Sequence, residues 1–122
     1  MGRKILLIED EPNIVEAICF ILKRDGFIVS HHADGTTALA AIERHNPDVI
    51  ILDVMLPGRS GFDILQDLRH KRSDLVPPVL MLTARGQTKD RELAAQYGVN
   101  TFMTKPFSNS EILDAVRALS EL

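Results

Sequence analysis

The feature that most constrains the fold of this chain is a regular alternation of short apolar runs with longer segments of helical spacing. The apolar runs are KILLI (4–8), FIVSH (27–31), VIIL (49–52), VLML (79–82) and TFM (101–103). In the segments that follow them, apolar residues recur at intervals of three and four, which is the spacing of one helix face. Five such β-then-α units predict a parallel sheet with helices on both faces, joined by right-handed crossovers.

The ends of the predicted helices carry their own signals. Helices are predicted from Pro12 to the Asp25-Gly26 pair, over 37–45, after the 57–61 loop, over about 89–97 and after Ser108. Gly98 suits a left-handed cap at the end of the fourth helix. Ser108 lies three residues before Glu111, which is the spacing of a capping box at the start of the fifth.

Length and composition indicate a single globular domain. A chain of 122 residues, 45% of them hydrophobic and 25% charged, can bury a core of its own. The formal charge of −3 argues against direct nucleic-acid binding, which depends on clustered lysines and arginines. One cysteine, no signal-peptide pattern and no apolar run approaching 18 residues predict a cytoplasmic protein without membrane contact.

Polar residues stand where the apolar runs end. Glu9 and Asp10 follow the first run, Asp53 the third and Thr83 the fourth, and Lys105 lies just past the fifth. Ligands of open α/β sheets bind outside the carboxyl ends of the strands. The sequence therefore predicts that three acids, a hydroxyl and a lysine converge at one edge of the sheet.

Acids gathered from different strands repel one another unless a cation neutralises them. Mg²⁺ prefers one or two carboxylates plus water and phosphate oxygens, which predicts Asp10 and Asp53 as direct ligands and Glu9 as a ligand through water. Mn²⁺ is the alternative metal. With the metal and Lys105 absorbing phosphoryl charge, Asp53 is the candidate nucleophile that accepts a phosphoryl group as an acyl phosphate.

Each of these residues has a simpler explanation when it is taken alone. Asp53 could be a solvated strand-end acid, Glu9 and Asp10 could favour the positive end of the following helix, and Thr83 could bond to the backbone. Lys105 could be a surface charge. The joint occurrence of all five favours the metal and phosphoryl interpretation.

Four segments resemble the receiver domains of two-component response regulators. They are LLIEDEP (6–12), DVMLPGRSGFD (53–63), MLTAR (81–85) and TKPF (104–107), in that family's order and spacing. The resemblance spans about residues 4–119 and implies a flavodoxin-like (βα)5 fold with strand order 2-1-3-4-5. It also implies a single receiver domain over residues 1–122 with no output domain present.

The resemblance further implies that Asp53 receives a phosphoryl group from a phosphohistidine on a histidine kinase or a histidine phosphotransfer protein. Asp10 and Asp53 would bind Mg²⁺ with the backbone carbonyl of Met55, Glu9 would act through water, and Lys105 would pair with the phosphoryl oxygens. The chain would then be a signalling phosphoacceptor that assists its own phosphotransfer and dephosphorylation, rather than an enzyme.

A switch is implied as well, in which the phosphoryl charge draws in the Thr83 hydroxyl and Phe102 fills the vacated space. Phe102 stands where many relatives carry Tyr, so it offers no hydroxyl to a partner. The Lys105-Pro106 bond is expected to be cis. Thr101 and Ser110 replace residues that the transcription-factor subfamily uses for its dimer, which weakens the expectation of that dimer.

Two hypotheses concern the surroundings of the acceptor. Met55 and Arg85 flank Asp53 and are expected to tune the lifetime of the phosphoryl group. The start of the first helix near Ile14 and the Pro106-Phe107 loop are expected to form a dry patch for helices of the donor, as such surfaces do in similar proteins. The output partner, or an output domain in a longer chain, stays open.

Three competing functions are less compatible with the residues. A haloacid-dehalogenase-type phosphatase needs a second Asp two residues after its nucleophile, where this chain has Met55. A flavin or nucleotide binder needs a Gly-rich or Ser/Thr-rich loop after the first strand, where EDEPN (9–13) repels phosphate in the absence of metal. A degenerate receiver that never turns over phosphate is disfavoured because all the key positions are filled.

Overall fold

The computed structural model describes residues 2–71, 76–84 and 88–122, and these contain the five predicted β-then-α units. The strands are β1 Lys4–Ile8, β2 Ile28–His32, β3 Val49–Asp53, β4 Val79–Thr83 and β5 Thr101–Thr104. The helices are α1 Pro12–Arg24, α2 Ala38–His45, α3 Gly61–Lys71, α4 Thr88–Gln96 and α5 Asn109–Ser120. No helix in these ranges combines the length and the hydrophobicity that a bilayer crossing requires.

All strand pairs in the sheet are parallel, and the strand order is β2-β1-β3-β4-β5. This order confirms the flavodoxin-like arrangement. The order reverses between β1 and β3, where Ile8 pairs in register with Leu52. The next residue of each strand, Glu9 and Asp53, therefore emerges side by side at the switch point where ligands bind in such sheets.

The core lies in two layers, one on each face of the sheet. Every residue of β3 and β4 is buried, as expected for parallel strands covered on both sides. One layer contains α2 and α3 and the other contains α1 and α5. The buried helix residues are Ala38, Ala41, Ile42, Ile64, Leu65 and Leu68 in the first layer and Ile18, Leu22, Ile112, Val116 and Leu119 in the second.

β1 has the predicted boundaries, and the other four strands differ from the predicted ones by one residue, with β5 extended to Thr104. β3 includes Asp53, β4 includes Thr83, and β2 begins and ends one residue later than predicted. Hydrogen bonds between neighbouring strands account for the extension of β3. Asp53 pairs with Leu82 of β4, and the amide of Val54 donates to the Leu82 carbonyl at 2.8 Å. Two polar residues that the sequence placed just past the apolar runs are thus held within the sheet.

The predicted capping signals are confirmed, although α2, α3 and α4 begin or end one residue from the predicted positions. The Ser108 hydroxyl accepts from the Glu111 amide at 3.1 Å and the Glu111 carboxylate accepts from the Ser108 amide at 2.9 Å, which completes the capping box. Gly98 follows α4 with a φ of 72°, in the left-handed region. The Lys105-Pro106 bond is cis, as the resemblance implied.

Gly61, the first residue of α3, packs directly against the end of β3. A Cβ added there would lie 2.4 Å from the Asp53 carbonyl oxygen and 3.1 Å from Cε of Met81. We expect Gly61→Ala to lower the free energy of unfolding by about 1–3 kcal/mol, the usual cost of overpacking, in urea denaturation. Gln66→Ala, on the exposed face of the same helix, is the control and should change it by less than about 0.5 kcal/mol. Equal unfolding midpoints for the two variants would contradict the steric argument.

Candidate functional site

Three acids meet at the carboxyl edge of the sheet, as the sequence predicted. Glu9, Asp10 and Asp53 each place one carboxylate oxygen within 4.8 Å of the others. Glu9 and Asp53 are 0% and 1% exposed, whereas Asp10 is open to solvent. The β1–β3 register explains the convergence, because it brings the ends of two strands together.

Glu9 is the most deeply buried member of this acidic cluster. One of its oxygens, Oε2, accepts from the amides of Asp10 at 2.9 Å and Glu11 at 3.2 Å. Burial raises the pKa of Glu9, and the neighbouring Asp53 carboxylate raises it further, because the charged form is both desolvated and repelled. The contacts of Glu9 with Lys105 and with the Glu11 amide oppose this rise without cancelling it.

Lys105 is the cation of the site. Its side chain is 9% exposed, and Nζ lies 2.7 Å from Oε1 of Glu9, 2.9 Å from Oε1 of Glu11 and 3.1 Å from Oδ2 of Asp53. Its amide donates to the Thr83 carbonyl at 2.7 Å, which fixes the lysine against the end of β4. Burial alone would lower the pKa of Lys105, but the carboxylates outweigh it and raise that pKa, so the ammonium stays charged.

Asp53 is held at both ends of its carboxylate. Oδ1 accepts from the Met55 amide at 3.0 Å, and Oδ2 faces Lys105 Nζ. The side chain is therefore fixed in the middle of the cluster, between a backbone donor and a cation. This geometry fixes the orientation of the carboxylate within the cluster.

The donor set fits a hard divalent cation. Glu9, Asp10 and Asp53 offer only oxygen ligands, which Mg²⁺ and similar ions prefer. Oε1 of Glu9 is buried and lies 2.7 Å from Lys105 Nζ, yet it receives no hydrogen bond of acceptable geometry within the described residues. This buried carboxylate oxygen has spare acceptor capacity beside two further carboxylates, which fits a metal site.

A family model of the response regulator receiver domain matches residues 5–117. The chain belongs to this family. The probable transcriptional regulatory protein TcrX of Mycobacterium tuberculosis is 41% identical over 94% of this chain and 48% of its own. The phosphate regulon transcriptional regulatory protein PhoB of Escherichia coli is 39% identical over 98% of this chain and 52% of its own. This receiver domain thus spans about half the length of the curated relatives it matches.

Solved structures agree with this assignment. A putative response regulator from Chloroflexus aurantiacus superposes with a TM-score of 0.91 and 29% identity over the whole of both chains. The receiver domain of the Francisella response regulator 1452 gives a TM-score of 0.90 and 30% identity over 98% of each chain. The fold and the two-component signalling family of this receiver domain are therefore shown.

The two residues expected to form the switch occupy neighbouring strands of the receiver domain. Thr83 is fully buried at the end of β4, where it pairs in register with Thr104. Phe102 in β5 is half-buried and packs against the core layer of α2 and α3. Of the two residues expected to flank the acceptor, Met55 has a side chain that is 55% exposed, and Arg85 lies outside the described residues.

A cleft of about 390 Å³ opens beside the acidic cluster of the receiver domain. Its apolar wall includes Ile14, Pro106 and Phe107, and Glu11 and Lys105 stand on its polar side. The structure thus brings the start of α1 and the loop after β5 together, as the hypothesis of a dry patch requires.

Two contacts, one at Lys105 and one on β5, were not anticipated from the sequence. Glu11 forms an ion pair with Lys105, and the guanidinium of Arg91 lies 5.0 Å from the centroid of the Phe102 ring. Arg91 also donates to the Thr104 hydroxyl at 3.3 Å. Glu11 could have been found from its place just before Pro12, since an acid there stands at the carboxyl edge of β1. No pattern in the sequence points to Arg91.

Proposed function

We propose that this receiver domain accepts a phosphoryl group on Asp53 from a phosphohistidine and thereby changes its binding surface. The observation that carries the proposal is the place of Asp53, which is buried at the switch point between two acids and a charged lysine. Membership of the receiver family supports it. In this proposal the domain is a signalling phosphoacceptor rather than an enzyme.

The reaction transfers the phosphoryl group from nitrogen to oxygen. A carboxylate oxygen of Asp53 attacks phosphorus, the P–N bond to the donor imidazole breaks, and its electron pair stays on that nitrogen. Lys105, already 3.1 Å from the Asp53 carboxylate, pairs with the incoming phosphoryl oxygens. The Met55 amide keeps the carboxylate oriented through its bond to Oδ1.

The proposed cofactor is Mg²⁺, with Mn²⁺ as a substitute. Asp10, Asp53 and the Met55 carbonyl would hold the ion directly, and Glu9 would contact it through water. The ion supplies neutralisation of the charge on the phosphoryl oxygens. The acidic cluster supports this assignment, since its carboxylates lie close enough to share an ion.

The proposed donor is a histidine kinase or a histidine phosphotransfer protein, docked on the cleft formed by Ile14, Pro106 and Phe107. After transfer, Thr83 would turn toward the phosphoryl group and Phe102 would move into the space it leaves. The changed surface would be read by an output partner or by an output domain in a longer chain. The transcriptional regulators among the relatives support the second of these.

The test is incubation with Mg²⁺ and a small phosphodonor such as phosphoramidate, followed by intact-mass measurement and peptide mapping. We expect a gain of one phosphoryl group on the peptide that contains Asp53, and none when the metal is removed by chelation. A stable label on another residue, or a gain that is independent of metal, would overturn the assignment.

Metal binding should also be visible as thermal stabilisation. Mg²⁺ at about ten times its dissociation constant is expected to add about 1.4 kcal/mol by mass action, or roughly 5 °C in Tm. Metal ligands must be deprotonated, and the pKa of Glu9 is raised, so the increment should shrink as pH falls through that pKa. Calorimetry at matched ionic strength checks this, with Asp10→Asn as the comparison. An equal increment in that variant would exclude the cluster as the metal site.

A further inference from the structure

Within the described ranges, Lys105 forms ion pairs with three carboxylates, and only two of these have a role in the proposed chemistry. Glu9 and Asp53 belong to the acidic cluster, and their side chains are 0% and 1% exposed. The third partner, Glu11, has a side chain that is 56% exposed and lies 2.9 Å from Nζ. This third contact is closer than the contact with Asp53, at 3.1 Å.

Three carboxylates surround the ammonium of Lys105, and two of them, Glu11 and Asp53, accept hydrogen bonds from it. A lysine has three N–H donors and no acceptor, and three carboxylates lie within 3.1 Å of this one. A phosphoryl oxygen that arrives on Asp53 therefore competes with these carboxylates for Lys105, and release of one contact favours the new pair. Which contact is released depends on the free-energy cost of separating each carboxylate from Lys105.

This cost depends on how deeply each of the three carboxylates is buried. Glu9 and Asp53 are buried beside Lys105, and breaking a buried ion pair is strongly unfavourable. Glu11 is more than half exposed, so its carboxylate can turn into water, and exposed pairs contribute little. Glu11 is therefore the partner that gives way.

The backbone of Glu11 allows this movement without disturbing the fold. Its carbonyl accepts from the amides of Ile14 and Val15 at 3.1 and 3.0 Å, and its own amide donates to Oε2 of Glu9. The main chain at the start of α1 is thus fixed, while the side chain extends along the polar side of the cleft to Lys105.

We propose that Glu11 is a positioning residue that holds Lys105 in the resting state and must release it before the lysine can pair with the phosphoryl group. This inference rests on the proposed function. It makes Glu11 a brake on phosphorylation, because each transfer includes the loss of one ion pair and the approach of an anionic donor past a carboxylate.

Glu11→Gln tests the proposal, with the rate of mass gain measured across a range of phosphoramidate concentrations in Mg²⁺. Loss of an exposed ion pair worth up to about 1 kcal/mol should raise the maximal rate by about two- to fivefold. Because the pair must break during transfer, the rise should appear in the maximal rate rather than only in the half-saturating donor concentration. The rise should also diminish at high salt, where exposed charges are screened.

Glu43→Gln is the matched control. Its carboxylate is likewise exposed and paired with a lysine, at 2.9 Å from Nζ of Lys71, but it lies on α2 away from the acidic cluster. We expect its labelling rate to equal that of the unmodified protein. A Glu11→Gln rate that is unchanged or lower, a change only in half-saturation, or an equal rise in the control would each overturn the inference. Failure of the unmodified protein to label at all would instead refute the proposed function.

Discussion

Asp53→Asn is expected to abolish phosphoryl labelling completely. The amide has the size of the carboxylate, and its oxygen can still accept from the Met55 amide that now donates to Oδ1 at 3.0 Å. It has no anionic oxygen to attack phosphorus, so the nucleophile is lost while the shape of the site is kept. Intact mass after incubation with Mg²⁺ and phosphoramidate should show the unmodified variant alone.

The control for this variant is Asp114→Asn, which makes the same chemical change on the exposed face of α5. It should label to the same extent as the unmodified protein. A phosphoryl gain that persists in Asp53→Asn would mean that another side chain is the acceptor, and the assignment of Asp53 would then be wrong.

Lys105→Met is expected to have the second largest effect, on both stability and transfer. It leaves Glu9, with a fully buried side chain, without its cation. We expect a loss of about 3 kcal/mol at neutral pH, at the lower end for breaking a buried pair because Asp10 keeps one side of the cluster open to water. Phosphoryl labelling should fall as well, since the ammonium that would pair with the phosphoryl oxygens in the proposed reaction is gone.

The stability loss in Lys105→Met should depend on pH in a defined direction. The folded-state pKa of Glu9 is already raised above its ordinary value of 4.5, and removal of Lys105 takes away an influence that lowers it. A group with a raised folded pKa contributes stability that is present below its unfolded pKa and lost as pH rises through its folded pKa. The deficit should therefore be largest at neutral pH and above, and should shrink as pH falls toward 4.5.

Urea denaturation without added metal, at pH values on both sides of this range, measures the deficit. Lys71→Met is the comparison, because it breaks the exposed pair with Glu43 and should change stability by less than about 1 kcal/mol at either pH. If Lys105→Met unfolds like the unmodified protein at neutral pH, Lys105 does not compensate the buried Glu9 carboxylate.

Much of the fold could be predicted from the sequence, because its local and global signals agree. The alternation of apolar runs with helical spacing indicated five parallel strands, and the capping box at Ser108 and the glycine after α4 marked helix ends. Periodicity does not specify which strands are neighbours. The strand order came from the resemblance to receiver domains, and the structure confirms it.

The acidic cluster was predictable for a geometric reason. Residues that follow parallel strands must emerge at one edge, so Glu9, Asp10 and Asp53 could be grouped without knowing a single distance. That Asp53 and Thr83 end strands rather than begin loops was not readable, because the hydrogen bonds of neighbouring strands decide it.

The contacts of Glu11 and Arg91 lay beyond such reasoning. Glu11 and Lys105 are 94 residues apart, and their contact depends on how α1 leaves β1 and how the loop after β5 returns. Arg91 on α4 contacts Phe102 on β5, and no local pattern specifies that contact. The partners of a side chain on another helix or strand can be identified only from the structure, whereas the edge of the sheet at which the side chain lies can be predicted from the sequence.

The close packing behind Asp53 limits how the domain can respond if a phosphoryl group is attached to its carboxylate. The Val54 amide is bonded to the Leu82 carbonyl, the Gly61 amide is bonded to the Val54 carbonyl, both at 2.8 Å, and the Gly61 backbone leaves no room for even a methyl group. These contacts hold the main chain next to Asp53 in place on its inner side. We therefore expect a phosphoryl group on Asp53 to move the side chains that surround the carboxylate, away from the sheet, rather than the main chain behind it.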